Sequence, residues 1–114
     1  MLHYTPDTYL AVVEEIQRVL SDESKWCQFS FGKDAQGEPC SYTHPEVAQF
    51  CLAGAALRAC DNLGVSSEVG TGARGPYTMY WNDTSGRTYR EVQRALEERV
   101  AYFLDLAQQQ GEWK

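Results

Sequence analysis

The sequence predicts a mainly α-helical domain, a compact set of three helices closed by a short two-stranded or irregular cap, with an α+β arrangement as the alternative. Three segments repeat apolar residues at steps of three and four, and each opens on a helix start signal. Two turn-rich stretches lie between them, each with a short run that reads as a strand. The chain of 114 residues reads as a single domain over residues 1–114. A domain of that size buries roughly two thirds of its unfolded surface, so it needs no staples.

In the first helix Thr5 is the cap, Pro6 takes the first helical position and Asp7 complements the dipole. Tyr9, Val12, Val13, Ile16, Val19 and Leu20 then form one stripe, with Glu14 and Arg18 four apart on the other face. Next, Cys27, Phe29 and Phe31 alternate with Gln28, Ser30 and Gly32, which predicts a short half-buried strand. The second helix begins with the capping box Thr43-His44-Pro45-Glu46, runs from Val47 to Cys60 and stops at Gly64. It is apolar nearly all round, so it is expected to be sandwiched by the other two. Gly54 within it costs roughly 1 kcal/mol against Ala, which points to a neighbouring backbone crossing there, a helix by expectation.

Residues Gly70 to Gly75 spell GTGARG, the G-x-G-x-x-G of a dinucleotide-binding turn. That turn follows a strand and opens a helix. Here a helix precedes it, Pro76 follows it and the next helix signal waits until Thr88, so the segment is expected to be a flexible glycine loop and no cofactor is implied. Tyr77 to Trp81 reads as a second short strand able to pair with the first. The third helix opens on the capping box Thr88-Tyr89-Arg90-Glu91 and carries Val92, Leu96, Val100, Phe103 and Ala107, with an Arg94–Glu98 pair outside and Gly111 as its stop.

Ten Lys and Arg stand against sixteen Asp and Glu, a formal net charge of -6, and no basic run could neutralise a phosphate backbone. Direct binding to nucleic acid or to a membrane is therefore not expected. The first twenty residues lack a basic start and place Glu14, Glu15 and Arg18 where an export signal keeps its apolar stretch. The expected setting is the cytoplasm, with reduced thiols.

Cys27, Cys40, Cys51 and Cys60 with His3 and His44 are enough ligands on paper for zinc, but no C-x-x-C occurs. Cys51 and Cys60, nine apart on a helix, face opposite ways, so no metal site is expected. His44 and Cys51 sit seven residues apart on that helix, roughly 10 Å of rise, too far for proton transfer. No catalytic residue is assigned, although Cys27, His44 and Asp83 could meet through the fold.

The segment Trp81-Asn82-Asp83-Thr84-Ser85-Gly86-Arg87-Thr88 gathers an indole, an amide, a carboxylate and a guanidinium, the mix of a recognition surface. A structural reading stands beside it: Asn82 or Asp83 forms an Asx turn, Arg87 pairs with Asp83, and Trp81 anchors the loop. Trp26-Cys-Gln28, Asp34-x-x-Gly37-x-Pro39, Pro45-Glu46 leading into Phe50-Cys-Leu-Ala-Gly-Ala55, Trp81-Asn-Asp83 with Gly86-Arg-Thr88, and Glu91-Val92 together resemble a family of small bacterial and phage proteins classed as a domain of unknown function. The resemblance spans Trp26 to about Leu104, with the Gly-rich stretch before Tyr77 as local variation. It implies the three-helix outline and a bacterial or phage cytoplasmic setting, and it supplies no activity.

The expected function is a non-enzymatic interaction module whose partner is another protein, bound through Tyr80, Trp81, Asn82, Asp83 and Arg87 with Trp26 and Gln28. One rival is a phage-encoded inhibitor of a host defence complex, from small size, acidity and the resemblance. The other is an enzyme acting on a small molecule near Asp83.

Overall fold

The computed structural model describes residues 4–112. Its helices are α1 (Pro6–Val19), α2 (Leu52–Leu63), α3 (Ser67–Arg74), α4 (Met79–Asn82) and α5 (Tyr89–Glu112). A 3-10 turn covers Glu23–Lys25, and the strands are β1 (Gly32–Asp34), β2 (Pro39–Cys40) and β3 (Val47–Phe50). The architecture is mostly α with a small sheet, as the sequence predicts. There are five helices among the described residues where three were expected, and the cap is an antiparallel sheet of order β2-β1-β3. None of these helices is long and apolar enough to cross a membrane.

α1 forms as the sequence predicts. The Thr5 hydroxyl accepts from Thr8 N at 3.3 Å, and Val12, Val13 and Ile16 are fully buried. Arg18 pairs with Glu15 at 2.7 Å rather than with Glu14. α1, not α2, is the shared element, packing on α2, α3 and α5. The α5 capping box also forms: Thr88 N donates to Glu91 Oε1 at 2.9 Å, and Glu91 N donates to Thr88 Oγ1 at 3.2 Å. This backbone hydrogen bond, with help from the Thr88 hydroxyl and Arg87, holds the Glu91 carboxyl below its ordinary value despite some desolvation. α5 continues through Gly111, its expected stop, to Glu112. The Arg94–Glu98 pair gives way to a hydrogen bond in which the Tyr77 hydroxyl donates to Glu98.

The largest correction concerns the second helix. Val47 to Phe50 is a strand on β1, with Gly32 opposite Phe50 and Lys33 opposite Gln49. A run apolar on every side has no period to separate helix from strand, and the sheet decides. The Thr43–Glu46 capping box is absent; Glu46 N donates instead to His44 Nδ1 at 3.0 Å. The helix starts at Leu52, with Cys51 as its N-cap accepting from Gly54 N at 3.3 Å, and it stops at Gly64 in the left-handed region, φ 69°. A Cβ on Gly54 would lie 2.0 Å from the Phe31 carbonyl oxygen. The close approach is real, but the neighbour is the chain entering β1 rather than a helix.

GTGARG is not a loop. Ser66 caps α3, Glu68 lies in its first turn, and Gly75 at φ 56° ends it. Gly70 and Gly72 are inside the helix, so the phosphate-binding turn does not form. A Cβ on Gly70 would meet Ala56 O and Cys60 Sγ, each at 3.0 Å, so α3 lies almost backbone to backbone on α2. The two expected strands beside this region are also absent. Gln28 to Phe31 is a series of bends, broken by a positive φ of 68° at Phe29, and Tyr77 to Trp81 leads into α4, where Trp81 N donates to the Thr78 cap at 3.2 Å.

Candidate functional site

The Cys27–Phe31 stretch and the α4 turn meet, as expected, but through side chains rather than a strand ladder. Their centre is Asn82, which is fully buried. Its Oδ1 accepts from Trp26 Nε1 at 2.7 Å and from Leu52 N at 3.1 Å; its Nδ2 donates to Cys27 O at 3.2 Å and to Asp83 Oδ1 at 2.9 Å. An amide has two donor hydrogens and two acceptor lone pairs, and here all four are used. The bond to Leu52 N satisfies a donor at the open end of α2.

The neighbours of Asn82 extend the clamp. Gln28 Nε2 donates to Asn82 O at 2.9 Å and to Thr84 O at 3.1 Å, and Phe29 N donates to Asp83 Oδ1 at 2.9 Å. Trp26, Gln28, Asn82 and Asp83, all candidate binding residues, thus form one hydrogen-bonded unit. Trp81 stacks edge-on with Tyr77, centroids 4.8 Å apart, beneath the Arg87 guanidinium at 4.1 Å. Arg87 does not pair with Asp83; it donates to Trp81 O at 2.9 Å and to Glu91 at 3.0 Å. Of the seven candidates, Tyr80 alone stands free in solvent, 84% exposed.

The clamp also presents a residue that the sequence reading placed in a strand. Phe29 is 70% exposed and is the single described non-glycine residue with positive φ. An aromatic in a run of alternating apolar residues carries no sign of a left-handed backbone, so only its partner Asp83 reveals it. Asp83 is not among the walls of the cleft beside the clamp, which is lined by Tyr77, Trp81, Arg87, Glu91, Arg94 and Glu98 among others.

Burial and the neighbouring Cys51 push the Cys27 thiol up to about 12, so it is protonated at neutral pH. It donates to Ser30 O at 3.6 Å. A protonated thiol is a poor nucleophile, and His44 is engaged by Glu46 N, so Cys27, His44 and Asp83 are not arranged as a triad. Among the described residues no three His, Cys, Asp or Glu side chains converge as a metal site would need; His3 lies outside them.

Fold and clamp together define a small, mostly helical α+β domain in which a W-N-D segment ties the cap to the helices. The chain belongs to a family of unknown function (DUF6197), whose model matches residues 5–101 and so takes in α1 as well as the part read from Trp26 onward. No curated protein and no solved structure matches it.

Proposed function

We propose that the chain is a protein-interaction module whose contact surface is the aromatic rim raised by the clamp, Phe29 with Tyr80, and whose partner presents a basic surface. The observation that carries this reading is the backbone of Phe29. A bulky residue in the left-handed region costs roughly 1–2 kcal/mol that glycine would not incur. The ring is mostly exposed and gives little back to the core. Asp83 holds the strained peptide in place, so the fold stabilises a conformation whose benefit lies outside it. The partner's charge follows from the net -6 of the chain and from the affinity of cationic side chains for aromatic faces.

Phe29→Gly tests the reading because folding and binding respond with opposite signs. The variant is expected to melt a few degrees higher, consistent with about 1 kcal/mol of relieved strain, while partner capture from lysate of the source cell falls tenfold or more. A variant that melts lower than the parent, or that captures the same partner equally well, overturns it.

A further inference from the structure

A second site lies away from the clamp. Between the end of α1, β3 and the outer face of α2 is a cleft of about 410 Å³ whose walls include Arg18, Lys25 and Arg58, with Asn62 beside them and Val47 and Phe50 among its apolar lining. No carboxylate lines it, although acidic residues outnumber basic ones sixteen to ten in the chain. Arg18 is held through Nε and Nη2 by Glu15, whose other oxygen accepts from Asn62 Nδ2 at 3.0 Å. Desolvation works to raise the Glu15 carboxyl, and its bonds to Arg18 and Asn62 outweigh this and keep it low.

The other two cations have neutral partners. Lys25 Nζ donates to Ser21 Oγ at 3.3 Å, and Arg58 Nη1 donates to Tyr42 O at 3.1 Å. Among the described residues neither has a carboxylate within the 4.0 Å of an ion pair. With Glu15 counted against Arg18, the cleft keeps two positive charges that the protein does not neutralise. The half-buried Arg58 is anchored by one nitrogen, which leaves further N–H donors of a planar fork.

From this we infer that the Arg18–Lys25–Arg58 cleft binds a small organic phosphate monoester, the dianion held by Arg58 and Lys25 and the organic group lying on Val47 and its apolar neighbours. Two unneutralised charges match a dianion, the guanidinium fork matches phosphate oxygens, and the volume falls within the roughly 300–1,000 Å³ common to ligand sites. This assignment is independent of the aromatic rim.

Titration of the full chain with phenyl phosphate, followed by amide NMR, tests it. Saturable shifts are expected at Lys25, Val47, Ala48 and Arg58, with a dissociation constant on the order of 1 mM or below. Benzenesulfonate, a monoanion of similar shape, is expected to bind at least about fivefold more weakly, and inorganic phosphate more weakly than phenyl phosphate. Lys25→Gln, at an exposed position, should weaken phenyl phosphate about threefold or more with an unchanged melting temperature; Arg58→Lys keeps the charge, loses the fork and should weaken it similarly. The proposal is overturned by an absence of saturable shifts at about 10 mM phenyl phosphate. Equal binding of benzenesulfonate, or undiminished binding by Lys25→Gln, overturns it as well.

Discussion

Asn82 shows how much a single side chain can be asked to carry. With its four partners in place, burial costs little; without them, Trp26 Nε1, Leu52 N and Cys27 O are left in the interior unpaired, each at roughly 1–3 kcal/mol. Asn82→Ala is therefore expected to lose about 3–5 kcal/mol, measured as a shift of the urea midpoint at constant slope. A loss below about 1 kcal/mol would mean that water replaces the amide. The gathering of polar groups at Trp81–Asp83 was legible in the sequence, but this role was not, because the partners Leu52 and Trp26 lie 30 and 56 residues away. Cys27 beside it makes a separate prediction. Its thiol ionises at an ordinary 9.0 when unfolded and about 12 when folded, so above pH 9 the unfolded chain releases a proton that the folded one keeps. The stability from this group is complete below pH 9 and is lost as pH rises toward 12. Stability measured across that range should fall more steeply in the parent than in Cys27→Ala, and equal slopes would place the thiol in water.

At the scale of elements, the helices with one apolar face and a cap, α1 and α5, were legible almost to the residue at their starts. What was hidden follows from two physical circumstances. An apolar stretch without a period has no local preference strong enough to choose between strand and helix, so Val47–Phe50 was settled by β1. Glycine has two opposite uses, and the low helix propensity of Gly70 and Gly72 reads as a loop unless the Ala56 carbonyl and Cys60 Sγ against Gly70 and the Tyr9 ring against Gly72 are known. The close approach at Gly54 was legible because the glycine stands inside the part of the expected helix that does form, α2, although the neighbour is the chain at Phe31 rather than a helix. Gly54→Ala should gain up to about 1 kcal/mol in propensity and lose considerably more to the clash with the Phe31 carbonyl, so the melting temperature is expected to drop by roughly 10 °C or more. An unchanged or raised melting temperature would show that the chain at Phe31 yields.

Across the whole molecule, the sequence foresaw a mostly helical domain with a small cap, since start signals and stripes are local properties, but built the cap from Cys27–Phe31 and Tyr77–Trp81 rather than from β1, β2 and β3. It did not place α1 at the centre, because the ranking of apolar faces by burial depends on α3, which was read as a loop. The clefts were out of reach for the same reason: Arg18, Lys25 and Arg58 belong to three separate segments, and nothing in their spacing brings them together. The shape, 52 × 29 × 22 Å, is lengthened by the 24 residues of α5, a helix of roughly 36 Å on a shorter bundle.

The Asn82 clamp also bears on the order in which the chain folds. Its bonds to Trp26, Cys27 and Leu52 close only after the cap, the start of α2 and the α4 turn have all arrived, and these three span far more chain than the hydrogen bonds within α1 or α5. Loop closure over such distances delays contacts, whereas helices form early. The clamp is thus expected to act as a latch, set after the rate-limiting barrier. A substitution that deletes only two of the clamp's long-range donations, Gln28→Ala, should leave the refolding rate nearly unchanged and accelerate unfolding by almost the whole of its destabilisation, a φ-value near zero in stopped-flow chevrons. A slowed refolding limb would instead make the clamp part of the nucleus. If the latch is late, kinetic stability resides here: the lifetime of the folded chain against proteolysis that outruns reclosing is set by how long one carboxamide keeps its four partners.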